Sequence, residues 1–480
     1  MTHPMSKPFY ITTTLPYVND RPHIGHALEF VQADILARYR RLVGDEVFFN
    51  TGTDEHGQKV WQKAKEEGRE IQSYVDENAA TFKKLHETLN LSYDAFVRTT
   101  DKAHIQAAQE LWKLCEKNGD IELRRYKGLY CVGDEAFIKE SELVNGRCPN
   151  HPTMDVVEIE EENYFFKLSN YQEKLLIYLN REVVVVPEWR RQEAIAFVKN
   201  GLEDFSISRL KEKMPWGVPV PGDDTQVMYV WFDALTNYIS TLGWPKDTKG
   251  LYKKFWEDGE TLQLAGKDQV RFQSIMWQAM LMSAGLPTTK KALYHGFINS
   301  GGQKMSKSIG NVIDPLTIVE EYGTDALRYF LARHISPFED SDFTMERFKE
   351  AYNADLANGL GNLAARIMRL AETHLEKGTR PEAAGFPQEY TDALGKLELN
   401  RAVECVWTCV AALDEKITKT EPFKLIKADP DAGKKLIFEL TQELYLIGRM
   451  LKPFMPTTNE AIKKAVIENK KPENLFLRKE

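Results

Sequence analysis

The sequence predicts an α/β protein: a parallel-sheet domain split by an inserted connective subdomain, followed by an all-α helix bundle. Three features of the 480 residues predict it. Strand and helix patterns alternate at the start and again after residue 190, the stretch between them changes texture, and beyond residue 346 strand signals nearly vanish. At roughly 100–200 residues per domain, the length allows two to four such bodies. A hydrophobic content of 42% and a net charge of −8 are ordinary for a globular chain and exclude disordered, collagen-like and coiled-coil readings. No apolar run approaches the roughly 18 residues of a membrane helix, and Met1–Tyr10 lacks a signal-peptide profile, so a soluble, cytoplasmic protein without a membrane partner is expected. Five cysteines, an odd number in a long chain, do not build a disulfide-stapled secreted fold.

Each element follows from local pattern. Phe9–Leu15 is rich in β-branched and aromatic residues and predicts the first strand. After a Pro/Asn/Asp loop, helical periodicity runs from about Ile24 to Val43 and stops at Gly44, and Glu46–Asn50 predicts a second strand. Strand, long helix and strand make a right-handed βαβ unit with parallel pairing, whose ligands sit beyond the strands' C-terminal ends. That geometry directs attention to Pro16–His26 and Thr51–Gly57. From about Gly128 to Pro187, paired Cys and His, the acidic run Glu158–Glu162 and Val183–Val186 predict the inserted subdomain. Met228–Phe232 and Thr261–Ala265 then read as strands and Gln269–Ala284 as a helix, giving the second half of the sheet. Helical periodicity dominates after Glu346, interrupted at Gly378–Pro387 and Asp429–Gly433, which predicts an antiparallel bundle. From Arg347 onward there are 22 Lys plus Arg against 20 Asp plus Glu, so this part is less acidic than the rest and permits a nucleic-acid partner.

Two short segments carry the chemistry. Pro22-His23-Ile24-Gly25-His26 lies where the first loop becomes the helix, and imidazoles beside the free N–H groups of a helix start suit a polyphosphate, with Gly25 admitting a flat ring. Lys304-Met305-Ser306-Lys307-Ser308 lies between Gly301-Gly302 and Gly310-Asn311, so two lysines and two hydroxyls ride on a loop able to close over phosphates. Singly, each reduces to surface histidines or a solvated basic turn. Together they resemble the HIGH and KMSKS signatures of class I aminoacyl-tRNA synthetases. The surrounding LPYVNDRPHIGHALEF, TGTDEHG, YVWFDALTNYIS, GKDQVRFQ and HGFINSGGQKMSKS resemble the methionyl-tRNA synthetase family over essentially the whole chain.

The resemblance implies a Rossmann-like catalytic domain at 1–127 and 191–345, the second half carrying the KMSKS loop and a linking fold. It implies a connective insertion at 128–190 and a helical anticodon-binding domain at 346–480. The implied activity is that of a methionine-tRNA ligase, consuming methionine and ATP with Mg2+ and charging elongator and initiator tRNA(Met). By that resemblance His23 and His26 contact the phosphates and Lys304 and Lys307 clamp them. Gly25, Gly266, Asp268 and Arg209 complete the ATP site, Asp268 at the ribose and Arg209 near the substrate carboxylate or phosphates. Asp54 holds the methionine ammonium, a charge-assisted pairing. Leu15, Tyr17, Trp231, Ala234, Leu235 and Tyr238 form the apolar, polarisable wall for the thioether. Gln269 and Gln273 stand where the family resemblance leads one to expect an aliphatic residue and a histidine. Gln273 retains the capacity to donate to sulfur or to hold Tyr238.

The same resemblance implies a zinc knuckle in the insertion, from Cys131, Asp134, Cys148 and His151, with Asp134 where a thiolate is expected. A carboxylate ligates zinc, and a lost thiolate also begins the decay of such a site, so structural Zn2+ stays open. Cys405 and Cys409, at i and i+4, read as small core residues. Asn358, Asn362 and Arg366 recur every four residues and so share a helix face suited to reading base edges, and Phe423 stands where the family offers a stacking tryptophan. Rival readings are another class I synthetase, a small-molecule nucleotidyltransferase and a non-catalytic RNA-binding paralogue. The short insertion excludes the large editing domain of the branched-chain enzymes. A monomer is expected.

Overall fold

The computed structural model of the protein describes residues 7–132, 136–138, 140–149, 152, 154–305, 310–378, 381 and 385–480. It divides into two units, one formed by Met1–Arg21, Glu46–Lys84 and Tyr93–Tyr294, the other by Pro22–Asp45, Leu85–Ser92 and His295–Glu480.

The first unit is built on six strands: β1 (Pro8–Thr12), β2 (Glu46–Thr53), β3 (Ala95–Arg98), β4 (Val185–Val186), β5 (Glu260–Gly266) and β6 (Lys291–His295). They hydrogen-bond in the order β3-β2-β1-β5-β6-β4. As the sequence predicts, β1 and β2 are parallel and separated by a long helix, α1 (Ile24–Leu42). β1 is also parallel to β5, β2 to β3 and β6 to β4. The strand order switches direction at β1, and the segments beyond the C-terminal ends of β1, β2 and β5 hold the candidate residues Tyr17, Asp54 and Asp268. Close pairing of β2 and β3 requires Gly52, because a Cβ there would lie 1.8 Å from the Val97 carbonyl oxygen. The core under the sheet gathers Tyr10, Trp112, Phe232, Trp256 and Trp277, the tryptophans 1% exposed or less. Burying such rings contributes about 2–3 kcal/mol each. α2 (Lys102–Lys117) supplies Trp112 and carries His104 near its start.

Two expectations are corrected here. The strand predicted at Met228–Phe232 is Asp223–Met228, and the chain then turns helical over Val230–Leu235 and Asn237–Ser240. A short apolar run fits either period, and the helix is the form in which Asp233 reaches two histidines described below. The insertion's first strand begins at Ile121, so the Ile121–Cys131 strand runs through the expected 127/128 boundary. It pairs antiparallel with Val157–Phe166, the centre of a four-stranded sheet with Ala136–Ile138 and Phe205–Ser206. The acidic run is therefore a strand, its charges met across the ladder by Arg125 to Glu160 and Lys127 to Glu158, each at 3.1 Å.

In the second unit α1 ends at Gly44, whose φ of 101° closes the helix. A small sheet pairs Ile298–Ser300 with Gln303–Lys304 and with Ser341–Phe343. After Phe343 every regular element among the described residues is helical, as expected. α3 (Thr324–Arg333) precedes this region, which includes α4 (Asn362–His374), α5 (Leu399–Thr420), α6 (Pro422–Ala428), α7 (Pro430–Leu451) and α8 (Pro456–Glu468). α5 buries Leu399, Val403, Val406, Val410, Leu413 and Ile417, a 3–4 spacing that makes one apolar stripe. α6 and α7 touch backbone to backbone, since a Cβ on Gly433 would lie 2.4 Å from the Ile426 Cα. No described helix is long and apolar enough to cross a membrane.

Candidate active site

The start of α1 is an imidazole capping box. His23 is the N-cap, its Nδ1 accepting from the Gly25 N–H at 3.0 Å, while His26 Nδ1 accepts from the His23 N–H at 3.1 Å. Two hydrogen bonds that a Ser and a Glu usually supply are made here by two histidines. The rings stack with centroids 3.9 Å apart. Because both Nδ1 atoms accept, the neutral form of each ring carries its proton on Nε2, a donor for an anion. Burial, together with the nearby His23 and His86, holds the His26 pKa well below the usual histidine value, so that ring is neutral at pH 7. A Cβ on Gly25 would come 2.8 Å from His23 Cε1 and 3.9 Å from the Met305 methyl carbon. The Ile24 N–H donates to the Ile313 carbonyl at 3.0 Å. The two signatures, 280 residues apart in the sequence, thus meet at the described edges of the KMSKS loop. Lys304 is exposed in the short strand before that loop, its carbonyl accepting from Asn311 Nδ2 at 3.3 Å. Lys307 lies outside the described residues.

The first unit assembles the other set of candidates. Beyond β1 and β2, parallel pairing continues as a bridge between Tyr17 and Asp54, with the Asp54 N–H donating to the Pro16 carbonyl at 2.9 Å and the Val18 N–H to the Asp54 carbonyl at 3.2 Å. Asp54 is 2% exposed, 3.5 Å from Thr99 Oγ1. Tyr17 meets Trp231 edge to face at 6.2 Å, and Trp231 stacks on Phe272 at 3.9 Å and 13°. Ala234 and Leu235 are buried on the same short helix as Trp231, and Leu15 is half-buried. Gln273 Nε2 donates to the Tyr238 hydroxyl, so of its two possible tasks this residue holds the tyrosine. The Gln273 Oε1 and Trp231 Nε1 atoms are buried and make no hydrogen bond among the described residues. Gly266 ends β5, Asp268 is exposed, and the Gln269 amide donates to Asp268 at 2.8 Å. Gln269 therefore attaches to the candidate ribose carboxylate.

Arg209 is 6% exposed and lies under two tyrosines, Tyr229 at 4.5 Å and Tyr130 at 5.3 Å. Its Nη1 donates to Ser206 Oγ at 2.8 Å and the Ser208 carbonyl at 2.7 Å. It borders a cavity of about 340 Å³ that Tyr229, Phe272 and Met276 also line.

Behind these residues lies a buried network that the motifs contained without revealing. Asp233 accepts from His56 Nδ1 at 2.6 Å and His104 Nε2 at 2.8 Å, and His104 Nδ1 meets Ser240 Oγ at 2.9 Å. Burial pushes the Asp233 carboxyl up, but His56 and His104 hold it at about 2. Glu55, fully buried, takes the Arg98 guanidinium in two bonds of 2.6 and 2.9 Å, and its carbonyl accepts from Trp216 Nε1 at 2.6 Å. One signal was legible: an acid inside the apolar run Trp231–Leu235 has to be paired if buried.

Comparison with known proteins gives the family. The family model described as tRNA synthetases class I (M) matches residues 9–157 and 152–368. The methionine-tRNA ligase of Caldanaerobacter subterraneus subsp. tengcongensis is 41% identical over 471 residues, 95% of this chain and 73% of that protein. That of Rhizobium meliloti is 41% identical over 94% of this chain and 90% of its own length. The chain belongs to the methionyl-tRNA synthetase family. Among solved structures, the Mycobacterium tuberculosis methionyl-tRNA synthetase bound by methionyl-adenylate is 34% identical, covers 99% of both chains and has a TM-score of 0.89.

In this synthetase the helical residues expected at the anticodon are partly presented. Asn358 and Asn362 are exposed, on a wider π-helical turn over Tyr352–Gly361 and at the start of α4. Arg366, one turn on, is paired with Asp414 at 2.5 Å. Phe423 is 48% exposed on α6. Of the expected zinc ligands, Cys131 and Cys148 are both 1% exposed, and Asp134 and His151 lie outside the described residues.

Proposed function

We propose that this chain is a methionine-tRNA ligase that activates methionine with ATP and charges elongator and initiator tRNA(Met). The observation that carries the reading is the meeting of the His23–His26 turn with Met305 and Ile313, which puts imidazole Nε2 donors and the lysine-bearing loop at one helix start. Asp54 takes the methionine ammonium, and Tyr17, Trp231, Ala234, Leu235 and Tyr238 enclose the side chain, with Leu15 at the rim. ATP enters as its magnesium complex, Asp268 holding the ribose beside Gly266. A methionine carboxylate oxygen attacks the α-phosphorus, the bond from that phosphorus to the bridging oxygen breaks, and pyrophosphate leaves. The Nε2–H groups of His23 and His26 donate to oxygens that gain charge in this step, while Lys304 and Lys307 neutralise the leaving pyrophosphate and Arg209 the carboxylate side. A terminal ribose hydroxyl of the tRNA then attacks the methionyl carbonyl and AMP departs. Asn358, Asn362, Arg366 and Phe423 read and stack the anticodon, Arg366 exchanging Asp414 for a base edge.

Thiolate donors as buried as Cys131 and Cys148 suit a structural zinc, which would brace the insertion and take no part in the reaction. The test of the whole reading is ATP–pyrophosphate exchange with each standard amino acid, and with homocysteine, without tRNA. Exchange with methionine alone is expected. Exchange with a different amino acid would relocate the chain within class I, and none at all would favour a non-catalytic paralogue or a different nucleotidyltransferase.

A further inference from the structure

Arg328, in the first half of α3, is completely buried. Its Nε donates to the Phe454 carbonyl at 2.9 Å, one Nη to the Leu89 carbonyl at 3.0 Å, and the other to the Pro453 carbonyl at 2.8 Å and to Asp34 Oδ2 at 2.7 Å. Pro453 and Phe454 form the turn from α7 to α8, so one planar group grips the helical C-terminal region and α1 at once. Asp34 is equally enclosed. It also accepts Arg38 Nε, the Ser92 N–H and the Ser92 hydroxyl, each at 2.6 Å. Burial pushes its carboxyl up, but Arg328 and Arg38 hold it below the usual range. Neighbouring bonds tighten the same junction: Asp325 accepts the Thr458 N–H and hydroxyl at 2.6 and 2.8 Å at the start of α8, and the Thr324 hydroxyl donates to the Thr88 carbonyl at 2.7 Å.

A buried guanidinium and carboxylate contribute little net stability compared with an apolar pair of the same volume, so their gain has to be sought in geometry. That geometry is directional. Asp34 follows His23 by eleven residues on an unbroken helix, about 16 Å along its axis. Any displacement of the α7–α8 turn loads Asp34 through a planar group held by four bonds at all three of its nitrogens, and α1 carries the load to its capping histidines as a rigid rod. We propose that Arg328 is a positioning residue that couples RNA bound on the helical region to the setting of the His23–His26 turn. This rests on the reading above of the helical region as tRNA-binding and the histidine pair as catalytic.

The experiment uses the full chain and a hairpin RNA with the anticodon stem and loop of tRNA(Met), added in trans. Single-turnover adenylate formation is followed with and without the hairpin, whose affinity is measured separately. In the unaltered chain the hairpin should change the rate by about tenfold. In Arg328→Lys, which keeps the charge beside Asp34 but not the fork to the carbonyls, hairpin affinity should hold within about twofold while the rate response disappears. Thr458→Val loosens the same junction without cutting the α1–turn link and should keep the response; Asp34→Asn cuts the link from the α1 side, serves if Arg328→Lys fails to fold, and should abolish it. A response that is absent from the unaltered chain, survives both link-cutting variants, or is lost equally in Thr458→Val would overturn the proposal. Absence of methionine-dependent exchange in the unaltered chain would instead sink the underlying reading.

Discussion

Gly25 is where one missing methyl group decides the fate of a charged step. A Cβ there meets His23 Cε1 at 2.8 Å, so Gly25→Ala pushes the imidazole off its Nδ1 hydrogen bond and misdirects Nε2. Losing one such donor costs about a hundredfold in rate. Single-turnover adenylate formation should fall by that order with methionine affinity unchanged, and a matching loss of methionine affinity would mean that the turn as a whole had collapsed. His86 supplies a different kind of test. It is fully buried edge-on against Phe30 at 4.3 Å, and burial pulls its pKa down from 6.5 to about 3. The unfolded chain takes up a proton near pH 6.5 that the folded chain refuses, so stability falls as pH drops below 6.5. Between pH 7.5 and 5.0, His86→Gln should lose about 2 kcal/mol less than the unaltered chain in urea unfolding, and equal losses would clear His86 of that role. At this scale the candidates were legible as letters, but their tautomers and partners were not. Nothing in HIGH says that each Nδ1 is spent on a backbone N–H, and nothing in TGTDEHG says that Glu55 and His56 turn inward to Arg98 and Asp233.

The junction between α5 and α6 shows how an element aims a side chain. Glu421 adopts a left-handed φ of 41° and Pro422 follows at once, so one helix ends and the next begins within a single residue. Phe423, next in line, is left 48% exposed. Base stacking on an aromatic ring contributes about 1–3 kcal/mol, so Phe423→Ala should raise the KM for tRNA about tenfold in aminoacylation while leaving pyrophosphate exchange alone. Loss in both assays would count against an anticodon role. Element type was readable wherever a period was long: α1, α5 and α7 each repeat their apolar stripe for several turns. It failed for Met228–Phe232, where a few apolar residues satisfy both periods and the pairing of Asp233 with His56 and His104 goes with helix. It failed again at the insertion's edge, because Ile121–Lys127 is charged on its open face and becomes a strand only through its ladder with Glu160–Phe166.

For the whole molecule, the expectation of a monomer gives a direct measurement: light scattering should return a mass near the chain's 55.2 kDa, and a doubled mass that persists on dilution would overturn it. Composition, periodicity and two signature segments were enough to establish the α/β class, the helical C-terminal third and the family, because those properties are written locally, in spacings of two, three and four residues and in short motifs. The strand order β3-β2-β1-β5-β6-β4, the approach of Gly25 to Met305, the inward turn of Glu55 and His56, and the Arg328 junction were not written there. Each depends on which residues far apart in the chain are driven together when apolar surface leaves water, and on buried charges then having to find partners, and neither condition exists until the chain has folded.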